Sequence, residues 1–321
     1  MVNLLENLNG KMIAVTGASG YIGSALVNAL TKYSSEILCV SRKDLESISG
    51  MKFIKADVRS LDSWLEIVAQ ADIIFHLAGN TSVYAAEKNP VESLNSTLLP
   101  ITLLIKAAQE LGCQPRVVFA STATVYGMTE TFPVNETTKP NPITIYDLHK
   151  LFAEQQLKLA TKEGLIDSVS LRLANVYGPS SSVSSADDRG ILNRVTAMAM
   201  QGKDLIVYGD GNYLRDYIYI DDVVNAFLNA SIVPDIGGRE FIVASGSSQT
   251  VKQAFEMVIE QVAMITDHRV NLDCVPWPSG ANAIEHRNFI ASNASIVSEL
   301  GCQTTINFEE GIKLLISAHQ K

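Results

Sequence analysis

Short apolar runs alternate with longer amphipathic stretches through the first half of the chain. Residues 12–16 (MIAVT), 37–40, 53–54, 73–77 (IIFHL), 117–120 (VVFA) and 169–173 (VSLRL) read as strands. Their apolar positions are continuous rather than alternating, which predicts burial on both faces of a parallel sheet. Between them, 21–33, 61–69, 96–111 and 143–163 carry helical spacing. Strand and helix in regular alternation predict an α/β fold, a Rossmann-type doubly wound parallel sheet.

Beyond Asn175 the pattern loosens. The Ser-rich stretch 179–190 (PSSSVSSADDRG) reads as a linker or a ligand-facing loop. A helix over 191–201, a hairpin-like stretch over 208–212 (YGDGN) and a strand-to-helix unit over 217–230 follow it. Residues 217–220 and 241–243 read as further strands of the sheet. The expected division is therefore a dinucleotide-binding domain of 1–175 plus about 213–245. A smaller C-terminal substrate-binding cap would come from 176–212 and 246–321.

Composition narrows the function classes. With 321 residues, 47% hydrophobic and 18% charged, the chain can bury a sizeable core and is not a disordered protein. A net charge of −9 argues against nucleic acid or an anionic membrane as partner. No apolar run reaches the roughly 18–20 residues that span a bilayer, and the first ten residues lack the order of a secretion signal. A soluble cytoplasmic protein is expected. Cys39, Cys113, Cys274 and Cys302 stand far apart, suggesting neither disulfides nor a metal site, and each reads as a small core hydrophobe.

Directly after the first strand comes Thr16-Gly17-Ala18-Ser19-Gly20-Tyr21-Ile22-Gly23, opening a helix. Gly17 permits a tight turn, Gly20 a close backbone approach to a pyrophosphate, and Gly23 close packing of helix on strand. The helix N-terminus adds free N–H groups and a positive dipole end, so dinucleotide binding is expected. At the end of the second strand, where NAD-binding folds place a carboxylate, stand Ser41, Arg42 and Lys43. An Arg can grip a 2′-phosphate bidentately, which favours NADP over NAD, while a solvated Arg-Lys turn is the plainer reading.

Tyr146 and Lys150 are four residues apart on a helical segment and share a face. An ammonium beside a phenol favours the phenolate, suiting the Tyr to exchange a proton with a sugar or alcohol oxygen. On its own that spacing is common on helix surfaces. A second feature, Ser121-Thr122-Ala123-Thr124-Val125-Tyr126-Gly127, puts hydroxyls at the carboxyl end of a strand, where ligands of such sheets lie.

These residues resemble the extended short-chain dehydrogenase/reductases that act on nucleotide-diphosphate sugars. The likeness runs over nearly the whole chain, through the glycine loop, Asp57-Val58, His76-Leu77-Ala78-Gly79, Asn95, the Thr122 segment, Tyr146 to Lys150, 171–179 (LRLANVYGP) and 215–222 (RDYIYIDD). The resemblance implies that Thr122 hydrogen-bonds the reacting oxygen, that Tyr146 is the general acid/base, and that Lys150 holds the nicotinamide ribose. It implies cofactor contacts from Gly17, Ser19, Gly20, Tyr21, Ile22, Gly23, Ser41 and Arg42. Asp57 and Val58 would meet adenine, and Leu77, Ala78 and Gly79 would line the cleft. Asn175, Arg215 and Arg287 match positions that meet the substrate's diphosphate. Asn175 also reads as a turn residue, and Arg215 as a partner of Asp216.

The family's 4,6-dehydratases follow the Thr with Asp-Glu, where this chain has Ala123 and Thr124, so dehydration is not expected. His149, where Ser is frequent, reads as a surface or substrate-edge residue. The resemblance implies hydride transfer at a sugar carbon, most often C4. A 4-ketoreductase using NADPH is the leading expectation, a 4-epimerase with retained NAD the alternative, and a non-catalytic NADP-binding sensor or scaffold a third. A homodimer through 96–111 and 143–163 is the family's usual assembly.

Overall fold

The computed structural model describes residues 4–33, 36–42, 51–180 and 190–320. Lys43 and the greater part of the Ser-rich stretch, 181–189, lie outside the described residues.

The first part of the chain runs β1 (Met12–Thr16), α1 (Tyr21–Leu30), β2 (Glu36–Ser41), β3 (Met51–Lys55), α2 (Leu61–Val68), β4 (Ile73–His76), α3 (Val83–Lys88), α4 (Pro90–Leu111), β5 (Arg116–Thr122), α5 (Ile145–Lys162) and β6 (Asp167–Leu173). It continues with β7 (Asn175–Tyr177), α6 (Ile191–Met200), β8 (Leu205–Tyr208), β9 (Leu214–Arg215), β10 (Tyr217–Tyr219), α7 (Ile220–Ile232) and β11 (Arg239–Val243). The last elements are β12 (Gln249–Thr250), α8 (Val251–Ala263), β13 (Leu272–Val275), α9 (Ala294–Ser298) and α10 (Phe308–His319).

Seven strands form one all-parallel sheet in the order β11-β6-β5-β4-β1-β2-β3. The chain winds outward from β1 to β3, then returns to β4 and winds the other way, so the sheet is doubly wound as the alternation predicts. Successive residues point to opposite faces. Ile13, Val15, Ile37 and Cys39 join a core shared with Leu26 of α1 and Phe227 of α7. Ala14, Leu38 and Val40 join the opposite core with Trp64 of α2, Leu104 of α4 and Leu157 of α5. Both faces are covered, hence the continuous apolar runs. β3, at the edge, has no fully buried residue and carries exposed Lys52 and Lys55.

Four expectations are corrected. Helix α4 starts at Pro90, not near 96. Asn89 caps it, accepting from the Glu92 N–H at 3.1 Å, and Pro90 stands in the first turn, where a missing N–H costs nothing. The YGDGN stretch is not a hairpin, because β8 pairs in parallel with β13, some 60 residues on. Tyr217–Tyr219 pairs with β7 in a separate two-stranded sheet, and β11 alone extends the main sheet beyond β6. Of the cysteines, Cys39 and Cys302 are buried, but Cys274 is exposed on β13. No helix among the described residues is long and apolar enough to cross a membrane.

Candidate active site

β1 and β4 are neighbours at the point where the strand order reverses, the place where open α/β sheets hold ligands beyond their carboxyl ends. Gly17 leaves β1 at φ +73°, and a side chain there would bring its Cβ to 2.9 Å from the Ala78 nitrogen. A Cβ on Gly23 would stand 2.1 Å from the Gly17 carbonyl oxygen. The loop, α1 and the turn after β4 thus touch backbone to backbone. Thr16 seals the junction, its Oγ1 accepting from the Ala78 N–H at 3.3 Å and bonding His76 Nδ1 at 2.8 Å. Burial, assisted by the Lys150 ammonium, pushes the His76 imidazole down to about 3, so it is neutral at physiological pH.

The N-cap of α1 is Gly20, with no capping side chain and no acid in the first turn. Helices α4, α5, α8 and α10 are capped by Asn89, Thr144, Thr250 and Asn307, whereas α2, α6, α7 and α9 share the uncapped start of α1. A helix start left open in this way offers its N–H groups to an anion. Ser19 Oγ meets Ser41 Oγ at 3.1 Å, tying the loop to the end of β2, where Ser41 is buried and Arg42 exposed. Tyr21 donates its hydroxyl to the Gly178 carbonyl at 2.6 Å, and Ile22 packs on the core. The Arg59 guanidinium, 2.6 Å away, holds the Asp57 carboxyl below the usual carboxylate range, with Arg42 adding to it. Val58 joins the core beside Trp64, whose indole N–H donates to its carbonyl at 2.8 Å.

Tyr146 and Lys150 are both buried on the inward face of α5. Lys150 Nζ donates to the Ala120 carbonyl at 2.8 Å and lies 6.0 Å from the centre of the Tyr146 ring. A Cβ on Gly79 would stand 3.9 Å from that nitrogen. Thr122 ends β5, two residues beyond Ala120. The fold therefore gathers Thr122, Tyr146, Lys150 and the turn after β4 at one end of the sheet.

A cavity of about 30 Å³ adjoins them, lined by Thr122, Thr124, Asn175, Arg287 and Phe289 among others. Asn175 Nδ2 donates to the Asp216 carbonyl at 2.9 Å, and Arg287 donates to the Ile284 carbonyl at 2.9 Å. Arg215 is turned to the backbone instead. Its guanidinium donates to the carbonyls of Leu214 at 3.0 Å, Glu285 at 2.7 Å and Arg287. It does not pair with Asp216, whose carboxylate accepts from the Ser245 and Gly246 N–H groups at 2.8 and 3.1 Å. Burial lifts that carboxyl to about 6 against those bonds.

His149 is not a surface residue. It is buried between α5 and α4, its Nδ1 2.9 Å from Ser93 Oγ, and burial lowers its pKa. Two groups escaped the sequence reading. Asp147 is wholly buried and accepts from Thr124 and Thr144. Arg172, 1% exposed, pairs with Glu154 at 2.6 Å and donates to the Tyr126 hydroxyl at 2.7 Å. A charge inside the apolar run VSLRL was the available signal for the second.

The fold is that of the extended short-chain dehydrogenase/reductase class. More particularly, the chain belongs to the NAD dependent epimerase/dehydratase family, whose model matches residues 13–243. A UDP-glucose 4-epimerase of Mycolicibacterium smegmatis is 30% identical over 251 residues, covering 74% of this chain and 79% of its own. The solved UDP-glucose 4-epimerase of Thermotoga maritima, with UDP-glucose, is similar at a TM-score of 0.84 and 26% identity, over 96% of this chain and 98% of that one. MoeE5, solved with UDP-glucuronic acid and NAD, gives 0.84 at 27% identity, over 96% and 98%.

Proposed function

We propose that the chain interconverts nucleotide-diphosphate hexoses at C4 by oxidation and re-reduction, as a 4-epimerase. The observation that carries this reading is the gathering of Thr122, Tyr146 and Lys150 at the switch point, with Ala123 and Thr124 where elimination of water would call for an acid and a base. The 30% identical relative named as a UDP-glucose 4-epimerase supports it.

The residues present fit a nicotinamide dinucleotide: the open start of α1 suits its diphosphate, and Ala78, Gly79 and Lys150 flank the space beside Tyr146. Bound there, a nicotinamide would supply the acceptor and donor for a hydride at the sugar carbon. Tyr146 takes the O4 proton and returns it, Lys150 favours the phenolate that can do so, and Thr122 hydrogen-bonds O4. Asn175 and Arg287 border the diphosphate, and the described residues of 176–212 and 246–320 form the cap over the sugar nucleotide. Arg215 acts at one remove, by holding the backbone from Glu285 to Arg287.

A second reading, an NADPH-dependent 4-ketoreductase, draws on Ser41 and the exposed Arg42 at the end of β2, a pair suited to a 2′-phosphate. The two readings differ in cofactor retention. Mass spectrometry of nucleotide released from denatured protein, with turnover of UDP-glucose without added cofactor, separates them: retained NAD and unaided turnover mark the epimerase. Tyr146→Phe is expected to lower turnover about a thousandfold while cofactor affinity holds. Undiminished turnover in that variant would sink both readings. Exposed Val91 and Leu94 on α4 and Phe152 and Leu159 on α5 support a homodimer, which a Phe152→Glu variant that sizes as a monomer would confirm and an unchanged size would contradict.

A further inference from the structure

We propose that Tyr21 and Asn193 clasp Gly178 from two sides and so couple the dinucleotide site to the sugar-nucleotide site, each ligand tightening the other. The inference rests on the places given to both ligands under the proposed function.

Gly178 follows β7, three residues beyond Asn175, and is buried at φ +128°. A Cβ there would stand 2.8 Å from Ile220 Cγ2, so the chain passes with no room to spare. Its peptide groups are taken up by two helices. Tyr21, in the first turn of α1, donates its hydroxyl to the Gly178 carbonyl at 2.6 Å, and burial raises its pKa, which keeps that proton in place. Asn193, in the first turn of α6, donates Nδ2 to the same carbonyl at 2.7 Å and accepts from the Gly178 N–H at 3.2 Å. A carbonyl only accepts and an N–H only donates, so the direction of each of these bonds is fixed. Two residues on, Ser180 Oγ donates to the Tyr21 carbonyl at 2.8 Å and meets Ser24 Oγ at 2.9 Å.

An uncapped helix start is held less firmly than one whose N–H groups are bonded to an anion. A diphosphate at the start of α1 firms the turn that carries Tyr21, and Tyr21 holds Gly178. On one side of Gly178, β7 carries Asn175 into the cavity wall, paired in register with Tyr217 of β10. On the other, Asn193 carries α6, a helix of the cap. The cofactor's helix, a strand bordering the substrate and a cap helix thus share one residue. A ligand that fixes one of them orders part of what the other ligand needs, and the free energy so shared is reciprocal. Tyr21 and Asn193 are here positioning residues that act through Gly178. For an enzyme that keeps its nicotinamide through turnover, slower cofactor release while a sugar nucleotide is bound is useful.

The test uses the full chain freed of nucleotide and measures the affinity for UDP with and without saturating ADP-ribose. These fragments lack the hexose and the nicotinamide, so the two reacting rings cannot couple them by direct contact. In the wild type UDP is expected to bind about tenfold more tightly beside ADP-ribose. Tyr21→Phe, which removes one oxygen, is expected to bring that ratio to about twofold, the loss of one hydrogen bond. Asn193→Leu cuts the clasp on the cap side with the same effect, and the double variant falls no further, because the links act in series. A merely structural role would weaken both affinities and leave their ratio standing. Should Asn193→Leu not fold, Tyr21→Phe carries the test. Where nucleotide cannot be removed, exchange of retained NAD for ADP-ribose is timed with and without UDP, and the slowing by UDP is compared in the same way. A wild-type ratio of one, or a ratio that survives Tyr21→Phe, overturns the clasp. A wild type that binds neither fragment overturns the reading of the site itself.

Discussion

The two sides of the candidate site are held by different physics. On the side of β1 and β4, backbone packs on backbone: Gly17 and Gly23 leave no room for even a methyl group. On the side of β9 and β10, buried charged side chains bind backbone groups, with Arg215 on three carbonyls and Asp216 on two N–H groups. The first arrangement depends on absent atoms and tolerates no addition. The second depends on polar groups that must stay paired once buried, and so tolerates no removal.

The sharpest break in that comparison is Gly23→Ala. Its methyl would meet the Gly17 carbonyl, and the loop and α1 must part, at about 3 kcal/mol. Cofactor affinity is expected to fall steeply with stability, measured by nucleotide titration alongside thermal unfolding. A variant that binds as tightly as wild type would show that the close approach is incidental. Next in size is Arg215→Met, which keeps the stem and leaves the carbonyls of Glu285 and Arg287 without their donor, a loss of about 2 kcal/mol. Here the KM for the sugar nucleotide is expected to rise while cofactor affinity stays, because Arg287 loses its support. Equal effects on both ligands would erase the distinction between the two sides.

The same contrast explains what could be read from the chain. The glycine loop, the strands from MIAVT to VSLRL and the Tyr146-Lys150 pair follow from local spacing, and the structure contains them with shifts of a few residues at their ends. Arg215 was legible only through the resemblance, as a diphosphate contact or a partner of Asp216, and not as a residue turned to backbone carbonyls. Whether a guanidinium faces a ligand or a carbonyl depends on where a segment some 70 residues later returns. The pairing of β8 with β13 is hidden for the same reason, since a Gly-Asp-Gly turn signals only that the chain bends. His149 and Asp147 flank Leu148 on α5 and read as polar helix positions; only the packing of α4 and of the Thr122 segment against that helix shows both buried.

The most discriminating effect lies in pH, where the two sides oppose each other. His76 sits at about 3 in the folded chain against an ordinary 6.5, so between those values the folded state binds fewer protons than the unfolded one, and stability rises with pH. Asp216 sits at about 6 against 3.8, so between those values the folded state binds more, and stability falls as pH rises. Each slope approaches about 1.4 kcal/mol per pH unit, and from about pH 4 to 6 they cancel. Above about 6.5 neither contributes any slope. Removing one group exposes the other: His76→Asn is expected to lose stability with rising pH across that window relative to wild type, and Asp216→Asn to gain it. Denaturant midpoints taken at intervals between pH 4 and 7 read both slopes. The constant offset from each substitution drops out, because only the change with pH is compared. If both variants run parallel to wild type, neither group is held away from its ordinary value, and burial on the two sides is looser than the hydrogen bonds of Thr16, Ser245 and Gly246 imply.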